Sequence, residues 1–361
     1  MAKPKDFKAL IEVTTTTQTL LTHFQSSLAP STATPSQTQA PTTDLPNPLD
    51  AIKASTTLLK SHTTTLSLLL LTPPLTPSAL ITKIGDVNSG ALSGMVAAAT
   101  YVPQADEKDD IGNMMRTELR SCVCQLVGTW GDVLALVLRM AESRQNAKSK
   151  DTGPSESEKQ DVLSATGVLW EACDVVLKSC NDGVVGLVVR KATELRATLL
   201  DAIEELKEWG EDVEDEEDGA AGSDEEDEMF GAMNKLGKDD KELKALLDVS
   251  VKKLKMVGML YQALIKRRLK TYPAPSAAAG ATSSPGPKLD RLMALVKAIP
   301  DSVDDLANAF YSLDEDGAKE LLAQTCKEAK SAAEIVKLNW AGTDDEFTAW
   351  SGKWVAALDA A

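Results

Sequence analysis

Aromatic residues and histidines are scarce in this sequence. Phe, Trp and Tyr make up 4% of the 361 residues, whereas hydrophobic residues reach 43% and charged residues 25%. A core of this composition is built from Leu, Val and Ala, which favours helices packed on helices over β-sandwiches or aromatic-lined ligand pockets. The two histidines, His23 and His62, have no neighbouring nucleophile or orienting group. We therefore predict no catalytic site and no enzymatic activity.

Long apolar runs and a paired cysteine framework are also missing. No apolar run approaches the roughly 18 residues that span a bilayer, and the leucine-rich run Leu66–Leu71 is itself interrupted by Ser67. The amino terminus has lysines but no apolar signal core. The chain has five cysteines, an odd number that cannot all pair within the chain. This favours free thiols in a reducing compartment. We therefore expect an intracellular protein without a membrane segment.

Acidic residues outnumber basic ones, and the excess of acids is concentrated in one segment. The net charge is −16, which argues against direct nucleic-acid binding because that affinity depends on Lys and Arg neutralising phosphates. Residues 211–228 contain twelve acids and no bases, whereas residues 235–270 contain eleven bases and four acids. Like-charge blocks of this length repel and stay disordered. We expect an acidic loop over residues 211–234.

The acidic loop has two interpretations. It either only keeps the chain in solution, or it binds basic partners or the chain's own basic helix. Under the second interpretation, the partner-binding residues are Asp224, Glu225, Glu226, Asp227 and Glu228. Ser223 is followed by acids at the next three positions, which is typical of an acid-directed kinase site.

Helical periodicity dominates the rest of the chain. Apolar residues recur three and four positions apart, and no period-2 strand of usable length is present. We predict an all-α fold of about ten helices in two packed bundles. The N-terminal bundle covers residues 1–210 with a flexible loop at 29–48, and the C-terminal helical unit covers 235–361 with a linker at 272–287. Pro300 is expected to break or kink the helix over Leu289–Tyr311, and the next helix is expected to run from Asp314 to Trp340.

Three short patterns each have a structural and a functional interpretation. Cys122, Cys124, Cys173 and Cys180 offer thiolates, but positions 122 and 124 point about 200° apart on a helix, which favours buried structural cysteines over zinc. Residues 312–317 resemble an EF-hand loop without its closing Glu, which favours an acidic helix N-terminus. The basic run 266–270 is either a nuclear import signal or a set of cations at a helix C-terminus. We predict no metal and no cofactor.

Two sequence blocks carry a family resemblance. The first is Thr-Gly-Val-Leu-Trp-Glu-Ala-Cys-Asp, in which the motif positions are Thr166, Gly167, Trp170, Glu171, Ala172, Cys173 and Asp174. Asp-Ala-Ile-Glu-Glu-Leu at 201–206 and the acidic run follow it, and Ile-Pro-Asp-Ser-Val-Asp-Asp-Leu at 299–306 is the second block. This arrangement resembles the GCIP or MAID family of cyclin-D-binding proteins. The resemblance implies a helical protein related in shape to vinculin-like bundles.

The resemblance also implies a function. It implies a non-enzymatic regulator of cytoplasm and nucleus that binds cell-cycle or transcription proteins, D-type cyclins among them, without contacting DNA or membrane. Besides the acidic loop, contact regions are expected near Trp170 and near Asp304 and Asp305, although Trp170 and Cys173 themselves are expected in the core. The alternatives are an acidic, chaperone-like binder of basic proteins such as histones, and a vinculin-like cytoskeletal adaptor.

Overall fold

A computed structural model shows an all-α protein. The structure describes residues 4–29, 47–103, 111–146, 153–211, 235–237, 240–273 and 285–361, and these contain no β-strand. The α-helices are α1 Pro4–Leu28, α2 Pro48–Leu71, α3 Pro77–Asp86, α4 Ser93–Thr100, α5 Gly112–Asn146, α6 Glu156–Glu211, α7 Lys241–Arg267, α8 Gly286–Tyr311, α9 Glu315–Ile335 and α10 Glu346–Ala360. A π-helical stretch, Val87–Leu92, joins α3 to α4, and a 3₁₀ turn, Leu269–Thr271, follows α7. The predicted fold class is confirmed.

The chain divides into two compact units at Gly183. The first unit is Met1–Gly183 and the second is Val184–Ala361. Gly183 interrupts α6 with φ 58° and ψ −159°, a conformation that glycine adopts without steric cost. The division therefore differs from the boundary at residue 210 expected from the sequence, because the end of α6 packs with α7: Lys244 Nζ donates to the Gly210 carbonyl at 3.0 Å. The predicted acidic loop lies almost wholly outside the described residues.

The core of the first unit lies between α5 and its neighbours. Helix α1 packs along α5, and α2 packs against the π-helical stretch and α4. Thr14 and Thr17 in the threonine-rich part of α1 are buried, and their hydroxyls donate to carbonyls four residues back at 2.7 and 2.9 Å. These local bonds satisfy the hydroxyls, so that a β-branched run is accommodated inside a helix.

One described helix segment, Gly112–Gln145, is long and apolar enough to cross a membrane by length and composition. In this fold the segment belongs to α5, and its residues Trp130, Leu134 and Val137 are completely buried in the first unit. Burial of this seam against α1 accounts for the apolar composition of the helix, as in the central helix of a bundle.

The second unit is organised around α9, which packs against α8, α7 and α10. Helix α8 continues through Pro300, contrary to the predicted break. Pro300 has no N–H to donate to the Val296 carbonyl, and the buried Tyr261 hydroxyl donates to that carbonyl instead at 2.6 Å. Helix α9 ends at Ile335, five residues before the predicted end at Trp340.

Arg268 explains why α9 ends early. The guanidinium is 1% exposed and forms two hydrogen bonds with the Asp345 carboxylate, at 2.7 and 2.8 Å. It also donates to the carbonyls of Val336 and Lys337, at 2.6 and 3.0 Å, just beyond the end of α9. The centre of the basic run 266–270 is thus a structural residue, and Lys266 and Arg267 lie in the last turn of α7, where the helix dipole favours cations.

Candidate functional site

The first half of α6 exposes an apolar surface. Leu163, Val168, Trp170 and Val175 are between 37% and 54% exposed, on the same helix turns as the family-like motif. We call these four residues, together with Gly167 and Glu171, the α6 face. Leu163 and Trp170 are seven residues apart, as are Val168 and Val175, so they form two edges along the helix. Gly167 and Glu171 are exposed between these edges.

Trp170 is exposed, and the prediction that it belongs to the core is wrong. The buried side of α6 is formed by Val162, Thr166, Leu169, Cys173 and Val176, which recur three and four residues apart. Trp170 follows Leu169 by one position, which rotates it by about 100° away from that side. Cys173 is fully buried as predicted, and burial raises the pKa of its thiol to about 12.

Two contacts hold α6 against α2. The Thr166 hydroxyl donates to the Val162 carbonyl at 2.6 Å and lies 3.1 Å from the Ser67 hydroxyl of α2. Two turns later, Lys60 of α2 donates to the Asp174 carboxylate at 2.5 Å. Thr166 and Asp174 therefore position the helix, while Gly167, Trp170 and Glu171 are left exposed between these contacts.

Contacts within the chain do not explain why position 167 is a glycine. A Cβ atom added there would meet nothing within 4 Å, so close helix packing does not require glycine at this position. Glycine in an exposed helix interior costs about 1 kcal/mol relative to Ala. By contrast, a Cβ at Gly210 of the same helix would lie 2.1 Å from Leu247 Cδ2. The absence of a side chain at 167 leaves a shallow gap between the two apolar edges.

The other predicted partner residues lie elsewhere. Asp304 and Asp305 are exposed on α8 of the second unit. Although Asp304 is exposed, partial loss of solvent around its carboxylate raises its pKa, and the nearby charges of Asp301, Asp305 and Glu205 raise it further. These four carboxylates form an acidic surface of the second unit. Ser223 and the five acids Asp224, Glu225, Glu226, Asp227 and Glu228 lie outside the described residues.

The described parts of the chain contain no group of three or more His, Cys, Asp or Glu side chains arranged to hold a metal ion. Cys173 and Cys180 are buried, whereas Cys122 and Cys124 are half-buried, so the expectation of buried cysteines holds for only part of this set. Residues 312–317 form a helix N-terminus as predicted, since the Asp314 side chain accepts from the Gly317 amide at 2.9 Å. His62 Nδ1 lies 4.0 Å from Asp86, whose carboxylate is already paired with Lys83.

The region that contains the α6 face is similar to a known protein family. Residues 51–212 match the family model described as Grap2 and cyclin-D-interacting, N-terminal. An uncharacterized protein of Schizosaccharomyces pombe is 23% identical over 315 residues, which cover 86% of this chain and 83% of that protein. No solved structure matches the chain significantly, so the vinculin-like detail of the predicted architecture stays a prediction. Residues 51–212 are thus similar to the N-terminal domain of the Grap2 and cyclin-D-interacting family, which supports the resemblance seen in the sequence.

Proposed function

We propose that this chain is a non-enzymatic regulator that binds cell-cycle or transcription proteins, cyclin-type partners among them, and sequesters them. The α6 face is the observation that carries the proposal. Its four apolar side chains are exposed within the matched family region, whose name refers to cyclin-D interaction. Trp is enriched among the residues that dominate binding energy at protein interfaces. We place the protein in cytoplasm and nucleus, where such partners occur.

The shape of the α6 face suits a partner helix. Two apolar edges with a heptad spacing flank the gap at Gly167, which allows the backbone of a docked helix to approach closely. Exposed Glu171 lies in the middle of the face, and its carboxylate has no ion pair with any described residue. A matching partner therefore presents an amphipathic helix whose apolar stripe carries a Lys or Arg opposite Glu171.

A double valine variant of the α6 face and a single valine control outside it test this proposal. In the full chain, Val168→Ser/Val175→Ser removes apolar surface from the α6 face, and Val102→Ser makes the same type of change at a 47% exposed valine outside it. Affinity for a purified D-type cyclin is measured by isothermal titration calorimetry, with circular dichroism as the folding check. We expect about a tenfold or larger loss for the double variant only, since two apolar side chains of the α6 face no longer bury against the partner.

Equal affinities of the two variants would overturn the role of the α6 face. The two alternative functions give different results in related assays. A chaperone-like binder loses histone binding when residues 211–228 are deleted and as salt rises, because its contacts are electrostatic. A cytoskeletal adaptor sediments with filaments. Neither the deletion nor added salt is expected to abolish binding through an apolar helix face.

A further inference from the structure

The second unit has a groove between α8 and α9 that carries positive charge on a predominantly acidic chain. Lys288, Arg291 and Leu295 line it from α8, and Ser331, Glu334 and Ile335 line it from α9. Sequence patterns do not reveal this groove, because its lining residues come from two helices about forty positions apart in the sequence. Neither helix alone has an unusual basic composition.

The two cations of the groove lack acidic partners. No carboxylate of the described residues forms an ion pair with Lys288 or Arg291. The one acid in the lining, Glu334, lies 3.3 Å from Lys337 Nζ in an exposed pair and forms no ion pair with either cation of the groove. Lys288 is half-buried, and this burial, together with the nearby charge of Arg268, lowers its pKa. An incoming anion would therefore relieve an uncompensated, partly desolvated cation.

Aromatic contacts hold Lys288 in place. Its ammonium nitrogen lies 5.4 Å from the ring centre of Trp340, within the range of a cation–π contact. The Trp340 indole is itself fixed: its Nε1 donates to the Arg268 carbonyl at 2.8 Å, and its ring meets Tyr272 edge-on at 5.0 Å. The cation is thus pre-positioned, which reduces the ordering cost of binding a ligand.

The groove also has an apolar component. Leu295 and Ile335 are half-exposed on opposite sides of it, next to the two cations. Further along α8, Asp301, Asp304 and Asp305 are exposed and repel acidic groups. A ligand with an acidic part and an adjacent apolar part is therefore bound in one direction, with its acids at the amino-terminal end of α8.

We infer that this groove binds an acidic segment of a partner protein in which apolar residues directly follow the acids. The carboxylates pair with Lys288 and Arg291, and the apolar side chains cover Leu295 and Ile335. Charge complementarity favours an acidic segment over a basic one, because Lys288 and Arg291 would repel a basic segment. The inference concerns the second unit and does not depend on the α6 face.

Fluorescence anisotropy of the full chain with a labelled peptide, Glu-Glu-Glu-Glu-Leu-Phe, tests the inference. A second peptide replaces each Glu with Gln. Lys288→Glu/Arg291→Glu removes the cations, and Lys252→Glu/Lys266→Glu makes the same change in net charge on the exposed surface of α7. We expect the groove variant to lose affinity about tenfold or more, and the α7 variant to keep it within about threefold.

Two results would overturn the inference. If both double variants weaken binding equally, the peptide responds only to overall charge. If the Gln peptide binds as tightly as the Glu peptide, the cations do not recognise the ligand. Ile335→Ser leaves the charges intact and is expected to weaken binding about threefold or more, because it removes apolar cover. Since the α6 face is unaltered in all these variants, cyclin binding reports separately on the proposed function.

Discussion

The Tyr261 hydroxyl replaces the hydrogen-bond donor that Pro300 removes from its own helix. It donates at 2.6 Å to the Val296 carbonyl, the acceptor four residues before Pro300. Both Tyr261 and Pro300 are buried, so water does not compensate for the missing N–H. Burial raises the pKa of Tyr261, which keeps the hydroxyl protonated and able to donate. A proline inside a helix is thus tolerated through a contact with another helix.

Removing this donor is expected to destabilise the protein, and restoring the helical N–H is expected to reverse much of the loss. Tyr261→Phe leaves a buried carbonyl unsatisfied, at a cost of about 1 to 3 kcal/mol. In the Pro300→Ala background the alanine N–H reaches the same carbonyl, so the cost of Tyr261→Phe is smaller. A double-mutant cycle from urea unfolding measures this coupling. Additive effects of the two substitutions would contradict the account.

Two adjacent arginines are expected to differ sharply in their effect on stability. Arg268 is buried and bonded to Asp345, whereas Arg267 is exposed and pairs with Glu346 at 2.6 Å. Arg268→Gln is expected to cost about 2 to 3 kcal/mol, because it removes a buried guanidinium that bonds Asp345 and the carbonyls of Val336 and Lys337. Arg267→Gln, the matched control, is expected to cost at most about 1 kcal/mol, as exposed pairs do. Equal losses in urea unfolding would contradict the structural role of Arg268.

Asp345 is expected to produce part of the acid sensitivity of folding. Its hydrogen bonds with Arg268 hold the pKa of its carboxyl well below the ordinary value. The stabilisation is therefore fully present above the unfolded-state pKa of about 4 and is lost as pH falls through the lower folded pKa. Asp345→Asn keeps the shape but removes the charge, so its free energy of unfolding is expected to fall less steeply in acid. Parallel pH profiles of the two proteins would refute this.

Asp304 is expected to affect the pH dependence of stability in the opposite direction to Asp345. Burial and neighbouring acids raise the pKa of Asp304, so the folded state disfavours its ionised form. Stability is then lost as pH rises from the unfolded pKa through the higher folded pKa. Asp304→Asn is expected to stabilise the protein at neutral pH but not in acid, as measured by urea unfolding at both. Asp132→Asn on α5 makes the same charge change, and an equal gain there would indicate only a general effect of net charge.

Substitutions of two glycines of α6 are expected to have opposite effects on stability, and one of them is also expected to weaken partner binding. Gly167→Ala is expected to stabilise the protein by up to about 1 kcal/mol, because the helix gains a better former and nothing is displaced. It is also expected to weaken partner binding, since a methyl group fills the gap in the α6 face. Gly210→Ala is expected to destabilise by about 1 to 3 kcal/mol through its contact with Leu247. Thermal unfolding and partner affinity, measured for both variants, check these opposite outcomes.

Local features of the fold were predictable from the sequence. Asp314 caps a helix through a bond to an amide three residues away, and such caps depend on neighbours in the chain. The orientation of α6 was harder to predict. Its buried residues keep a regular spacing, but the exposed Leu163, Val168 and Val175 place apolar side chains around most of the helix and obscure which side is buried. For this reason helical spacing does not show that Trp170 is exposed.

The amino-acid sequence by itself determined the helical class, most helix positions and the family-like motif, because periodicity and turn signals act over a few residues. Tertiary structure alone decided which side chains meet across the fold. Arg268 meets Asp345 across 77 positions, Tyr261 meets Val296 across 35, and Lys288 shares a groove with Ile335. Such contacts depend on how the helices pack in space, which short-range sequence patterns do not predict. The same packing decides that the division at Gly183 precedes the acidic segment.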